Sequence, residues 1–265
     1  MTPALHLLLL GWLVAAGVMT LLWLLHLPMR NAAIVDFGWA FLLPTLAIFF
    51  AAVGPGYAPR RWLLAALAAV WGYRLAFYLL FTRILGHPEE GRYVELRQSW
   101  KTSLPFKFLI FFQAQALLDV FLSIPFLLAA LDPQPALGWN EFAAAGIWAV
   151  AFAGEATADA QLHAFKSDRV NKGKTCDTGL WRYSRHPNYF FEWLIWVAYA
   201  LYAFAAPWGW LALACPALML FFLFRVTGIP ATEAQALRSR GDEYRRYQQT
   251  TSAFIPWFQK KQRTS

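Results

Sequence analysis

The densest cluster of polar and charged groups begins at Glu155 and runs to Glu192. Its core is Thr178-Gly-Leu-Trp-Arg-Tyr-Ser-Arg-His-Pro-Asn-Tyr-Phe-Phe-Glu-Trp193, in which Arg182, Ser184, Arg185, His186 and Asn188 stand among Trp181, Tyr183 and Tyr189. Pro187 suits the first position of a helix, where a missing N–H costs nothing. A helix starting there aims its positive dipole end and its free N–H groups at whatever the arginines bind, which favours a phosphate or another anion. Asn188 and Glu192 are four apart and share one face of that helix. The pattern reads as an anionic-cofactor site abutting a lipid-accessible cavity.

Upstream, Glu155 and Asp159 share a helical face and Lys166 follows about two turns later. The stretch Phe165-Lys-Ser-Asp-Arg-Val-Asn-Lys-Gly-Lys174, with Arg169 and Asn171, reads first as an ordinary basic loop. Charged groups inside apolar runs are costly and face a cavity or a partner. Asp36, Arg74 and Asp119 are such groups. Asp36 is either the opening group of a helix or a functional acid. Asp119, near Gln113 and Gln115, is either a polar clasp between helices or a site. Arg74 is eight residues from the nearest basic loop, roughly 12 Å along a helix, too far to snorkel with ease, so a buried anionic partner is expected.

The elements that must position these groups follow from composition. The 265 residues are 59% hydrophobic, 18% aromatic and 14% charged. A soluble domain is about 25% charged, so an integral membrane protein is expected, and disorder or a disulfide scaffold is excluded. A crossing helix needs roughly 20 apolar residues. Such windows lie near 5–27, 33–53, 62–81, 105–131 and 139–162, with two more in 188–227 around the turn Pro207-Trp208-Gly209. The prediction is an all-α bundle of seven membrane helices forming a single domain over 1–265, with the cofactor signature in 139–258. No Lys or Arg precedes the first run and the run is too long for a signal peptide, so it is expected to stay. Pro44, Pro125 and Pro216 are candidates to kink three spans.

Loops 82–104 and 163–187 and the tail from Arg225 are basic, whereas 132–138 and 205–209 carry no Lys or Arg; only Arg60 and Arg61 break the alternation. The positive-inside rule then puts the C-terminus and the cofactor loops in the cytoplasm and the N-terminus outside; the expected location is the inner membrane if the cell is bacterial. The net charge of +8 is accordingly topology rather than a nucleic-acid surface. Cys176 and Cys215 make no framework, no cluster has metal-ligand spacing, and no Gly-x-Gly-x-x-Gly is present.

The segment Gly179-Leu-Trp-Arg-Tyr-Ser-Arg-His-Pro-Asn-Tyr189 with Glu192 resembles the steroid 5-alpha-reductase superfamily, in particular its bacterial branch of uncharacterised membrane proteins. Supporting similarities are Asp36-x-x-Trp39, Trp71-Gly-x-Arg74, Glu90-x-Arg92-Tyr93, and Tyr244-x-x-Tyr247 running into Phe254-Ile-Pro-Trp257. The resemblance implies a seven-helix enzyme that binds NADPH from the cytoplasmic side and passes a hydride to an activated C=C bond of a lipid, steroid or other enone. It implies that Asp159 and Lys166 hold the cofactor, that Asn188 and Glu192 orient the nicotinamide end, and that Arg74 lies near the phosphates. Arg169, Asn171, Trp181, Arg182, Tyr183, Ser184, Arg185, His186, Tyr189, Tyr244 and Tyr247 complete the implied cofactor set. The steroid enzymes of the superfamily use a Gln-Glu pair and a tyrosine on early helices, for which Asp36 and Tyr73 are the nearest candidates here, although Trp71 is nearer the expected tyrosine position. They also have an Asn where Glu155 stands, and a His/Tyr pair where the tail has Gly228-Ile-Pro-Ala-Thr-Glu233.

Hydride attack on an enone β-carbon drives charge onto the carbonyl oxygen, so one donor must stabilise it and a proton must reach the α-carbon. A protonated, buried Asp36 or a tyrosine hydroxyl such as Tyr73 would serve. A second class resembles the same residues: membrane methyltransferases of the isoprenylcysteine and phospholipid type carry Arg-His-Pro-x-Tyr before a helix, and a tail with an acid, Tyr-x-x-Tyr and Pro, here Glu233, Tyr244, Tyr247 and Pro256. They bind S-adenosylmethionine. A scaffold or small transporter is the third reading; a transporter would often show an inverted repeat, and none is apparent.

Overall fold

The computed structural model describes residues 3–89, 91–226 and 228–260, so Glu90 lies outside the described residues. The chain forms two compact units, Met1–Phe142 with Tyr202–Ala212, and Ala143–Leu201 with Leu213–Ser265. Regular structure among the described residues is helical; an isolated parallel bridge joins Ser184 to Ser252.

The first unit contains α1 (Pro3–Met29), α2 (Ile34–Val53), α3 (Ala58–Leu79), a π-type turn at Leu80–Ile84, α4 (Gly91–Trp100), α5 (Leu104–Leu122), α6 (Ile124–Leu131) and the start of α7 (Trp139–Ser167). The second holds the rest of α7, most of α8 (Pro187–Ala203), α9 (Ala214–Phe221), α10 (Ile229–Arg240) and α11 (Asp242–Thr250). Among the described residues, five helical runs are long and apolar enough to cross a membrane: Pro3–Met29, Ile34–Val53, Ala58–Ile84, Leu104–Leu122 and Gly209–Arg240. The other two expected spans form as helices of a different character. α7 carries Asn140, Glu141, Glu155 and Asp159, and α8 has 17 residues, about 25 Å of helix against about 30 Å of hydrocarbon. The window 105–131 breaks at Ser123, because Pro125 in the first turn of α6 has no N–H to continue α5. Pro216 likewise sits in the first turn of α9, so of the three prolines only Pro44 is mid-helix.

α2 is the hub of the first unit. It packs on α1, α3, α5 and α6, and 61% of its apolar window is buried against 28% for α1 and 22% for α5. The outer helices present Leu13, Leu21, Ile110 and Leu117 outward, the surface expected to meet lipid. The α2–α3 approach depends on Gly72: a Cβ there would sit 2.6 Å from Cδ of Pro44 and 3.0 Å from the Ala40 carbonyl oxygen. One step along, Thr45 donates to the Phe41 carbonyl at 2.7 Å and its oxygen lies 3.2 Å from the Tyr73 hydroxyl. The threonine proton is already used, so Tyr73 is the donor in that pair. Between α1 and α5 the clasp is made by Gln113, whose amide donates to Thr20 at 3.0 Å. Asp119 takes no part in it; it is fully buried and neither carboxyl oxygen has a hydrogen-bond partner.

The two arginines that break the basic-loop alternation are both consumed inside the protein. Arg60 is buried, donates from Nε to Glu141 at 2.7 Å, lies 3.2 Å from Asp132, and also donates to the carbonyls of Gln134 and Ala136. Glu141 in turn accepts from the Gly138 N–H at 2.8 Å. Arg61 donates to the carbonyls of Ala51 and Gly54 at the C-terminal end of α2, where exposed carbonyls and the helix dipole favour a cation. Both guanidinium groups are thus held by the protein's own acceptors. Arg60→Met should destabilise the protein by about 3–5 kcal/mol, since it leaves two buried carboxylates uncompensated. Thermal unfolding in detergent measures this, and an unchanged midpoint would refute the assignment.

Candidate functional site

The segment between α7 and α8 is built from the backbone outward. Gly179 has φ +58° and a Cβ there would fall 2.5 Å from the Gln161 side chain. Only glycine satisfies both conditions. With the turn made, the Leu180 N–H donates to Gln161 Oε1 at 2.8 Å and the indole of Trp181 donates to the Ala158 carbonyl at 2.9 Å. Both contacts seat the segment on α7, whose buried positions Ala144, Trp148, Ala151, Glu155, Ala158 and Asp159 recur with helical spacing. Pro187 opens α8, as its type demands.

Asn188 and Asp159 meet: the amide nitrogen donates to the carboxylate at 3.3 Å. Asn188 and Glu192 are half-buried one turn apart, Asp159 and Glu155 are buried, and Lys166, Arg169 and Arg182 are exposed. Asn171 turns its amide back to the Phe165 carbonyl at 3.1 Å and so closes the end of α7.

The rest of the motif is spent on internal scaffolding. Arg185 donates to Glu233 at 2.7 Å and to the carbonyls of Gln248 and Thr251 at 3.0 and 2.6 Å. His186, buried and stacked on Tyr189 at 5.3 Å between centroids, places Nε2 3.2 Å from the same Glu233 oxygen. The other oxygen accepts from Gln248 at 2.8 Å. Ser184 donates to the Phe254 carbonyl at 2.7 Å and accepts from the His186 N–H at 3.1 Å. Tyr247 donates to the carbonyls of Trp181 and Ser184. Burial pushes the Tyr247 phenol above its ordinary value, and burial followed by the Glu233 charge pushes Tyr244 up to about 12. Both remain neutral at cellular pH. Ser184, Arg185, His186 and Tyr247 therefore act on the site by positioning it. Exposed Arg182 and Tyr183 and half-buried Tyr189 remain at its surface. Beside the motif, a cavity of about 580 Å³ is lined by Arg185, Gln248, Thr251, Trp257, Phe258 and Lys260.

The first unit carries Asp36, Tyr73 and Arg74. Asp36 lies in the first turn of α2. Tyr93 donates to one of its oxygens at 2.8 Å and Arg92 pairs with the other. Both oxygens accept, which is the arrangement of a carboxylate, and its place in the opening turn of α2 matches the helix-entry role, one of the two expected for Asp36. Nearby, Glu89 accepts from the Ala32 N–H at 2.6 Å and from Arg97 at 2.7 Å. Trp39 and Trp71 meet edge to face at 6.2 Å, which joins the Asp36-x-x-Trp39 and Trp71-Gly-x-Arg74 elements. Arg74 is half-buried on α3.

These features define a helical, multi-pass membrane protein with one polar network at the start of α8 in the second unit and others within the first. Residues 22–251 match the family described as "Protein of unknown function (DUF1295)", and the chain belongs to that family. It is similar to the uncharacterized protein C594.04c of Schizosaccharomyces pombe, at 27% identity over 93% of this chain and 78% of that protein. No solved structure matches it.

Glu233→Ala would leave the Arg185 guanidinium without its carboxylate and should cost about 3–5 kcal/mol. Hydrogen exchange should rise across 183–190 and 248–254. Unaltered exchange in both segments would show that Glu233 is not their common anchor.

Proposed function

We propose that this protein is a membrane-embedded NADPH-dependent reductase acting on an activated C=C bond of a lipid, steroid or other enone. The observation that carries it is the junction of Asn188 and Asp159 at the start of α8, together with the resemblance of that segment to the steroid 5-alpha-reductase superfamily. The residues fit a phosphorylated dinucleotide in chemical type: exposed Lys166, Arg169 and Arg182 are cations suited to phosphates, and α8 offers the free N–H groups of its first turn. NADPH supplies a hydride when bound. Asn188, Asp159 and Glu192 supply hydrogen-bonding groups of the kind that orient an amide-bearing ring, and the Glu233 network holds the α8 start in place for them. In the same reading the chain has seven membrane helices, counting α7 and α8, with its N-terminus outside and its basic loops and C-terminus in the cytoplasm. Removing Arg60 and Arg61 from the charge count makes that sidedness more consistent.

The superfamily resemblance makes Asp36 and Tyr73 the candidates for proton delivery, and their own hydrogen bonds favour Tyr73. Tyr73 carries a transferable proton on Thr45, whereas Asp36 is committed as an acceptor. Tyr73→Phe should lower turnover with little change in NADPH affinity. Asp36→Asn should reduce thermal stability and turnover together, because it weakens the tie to Arg92 and Tyr93. Steady-state kinetics and unfolding midpoints separate the two, and a selective turnover loss in Asp36→Asn would reverse the assignment.

A second reading has one specific support: Glu233 meets Arg185 and His186, joining the two elements, tail acid and Arg-His-Pro segment, in which the chain resembles S-adenosylmethionine-dependent membrane methyltransferases. Ligand stabilisation decides between them, since a ligand at one hundred times its Kd adds about 2.7 kcal/mol. NADPH should raise the unfolding midpoint of purified protein, and Asn188→Ala and Glu192→Ala should each weaken the effect while remaining folded. Stabilisation by S-adenosylmethionine and not by NADPH would replace the reductase reading.

A further inference from the structure

The chain after α11 is not a loose end. It doubles back along residues 183–185, with the Arg185 N–H donating to the Ser252 carbonyl at 2.8 Å, the Trp257 N–H to the Tyr183 carbonyl at 2.9 Å, and the Lys260 N–H to the Thr250 carbonyl at 2.9 Å. Held this way, the strap exposes 59% of Ile255, 68% of Trp257 and 75% of Phe258. The ring of Tyr183, itself exposed, meets Phe258 edge on at 6.1 Å. A fixed, contiguous aromatic patch outside any membrane-length helix calls for a partner.

Its depth can be read from Phe254. That ring lies 5.2 Å from Phe224 and 5.6 Å from Phe190. Phe224 is the last apolar aromatic of the run Gly209–Arg240 before Arg225; if that run crosses the bilayer, Phe224 stands where hydrocarbon gives way to headgroups. The strap leaves from that level. Its charge is one-signed: from Phe254 to Ser265 the sequence has Lys260, Lys261 and Arg263 and no acidic residue, and exposed Arg225 stands at the end of the apolar run.

We infer that the strap Ser252–Lys260 is an interfacial anchor, lying in the headgroup layer of the protein's own bilayer, with Trp257, Phe258 and Ile255 at the glycerol level and Lys260 against anionic phospholipid. Tryptophan and phenylalanine gain from this layer because an apolar ring is desolvated while the indole N–H stays hydrogen-bonded. Basic side chains beside it add attraction to anionic lipid. The anchor would hold residues 183–185, and through them the start of α8, at a fixed height above the hydrocarbon whatever the reaction at that site.

The test uses the full chain with both native cysteines replaced by alanine and an environment-sensitive dye on Phe258→Cys, or on Trp257→Cys as a second position. The protein is reconstituted in nanodiscs of phosphatidylcholine with and without phosphatidylglycerol. Expected are a blue-shifted emission, strong quenching by lipids spin-labelled near the headgroup, and weak quenching by aqueous iodide. Lys260→Glu should increase iodide access in discs that contain phosphatidylglycerol. Full iodide quenching with no effect of spin-labelled lipid at both positions would overturn the inference. So would protection that persists in detergent and depends on protein concentration, since a second copy of the chain would then be the cover.

Discussion

The second unit turns on a single carboxylate. Glu233, on α10, accepts from Arg185 and His186 just before α8 and from Gln248 on α11, and so joins three separate stretches of chain. Charge-assisted hydrogen bonds in a largely dry setting are stronger and more directional than neutral ones. Because Arg185 and His186 immediately precede Pro187, fixing them fixes where α8 begins, and so where Asn188 stands relative to Asp159. The Asn188–Asp159 pair is thus positioned by contacts that neither residue makes itself.

The first unit relies on a different constraint, the absence of side-chain volume. Pro44 removes one N–H from α2, and Gly72 lets α3 come against that place. Close approach brings Tyr73 to Thr45 and Trp71 to Trp39. Charge in this unit is cancelled locally: Arg60 by Asp132 and Glu141, Glu89 by Arg97, Asp36 by Arg92.

Much of this was legible in the sequence where the signal is local. Apolar length marks the long helices, Pro187 marks the start of α8, and Trp208, at φ +63°, lies in the turn expected around it. What escaped is non-local. Arg60 and Glu141 are 81 residues apart, and Arg185 and Glu233 are 48 apart; no spacing rule connects them. Asp119 and Gln113 share one helix, and only packing decides that the glutamine makes the clasp. α7 and α8 differ from the other long helices for a physical reason, since α7, at 29 residues, carries buried polar groups and α8 has 17 residues. Arg185, His186 and Ser184 illustrate a further ambiguity: a composition suited to gripping an anion is equally suited to gripping the protein itself.

The pairing of Ser184 with the strap bears on how the protein is made. Ser184 and the Phe254 carbonyl it bonds are 70 residues apart, and α9, α10 and α11 are all synthesised between them. During synthesis the segment before α8 is therefore exposed to the insertion machinery without its partner. Long-range pairing of this kind is slow, because loop closure precedes any compensating contact. The hydrogen bonds that join residues 183–185 to the strap therefore form only after the far end of the unit has been synthesised.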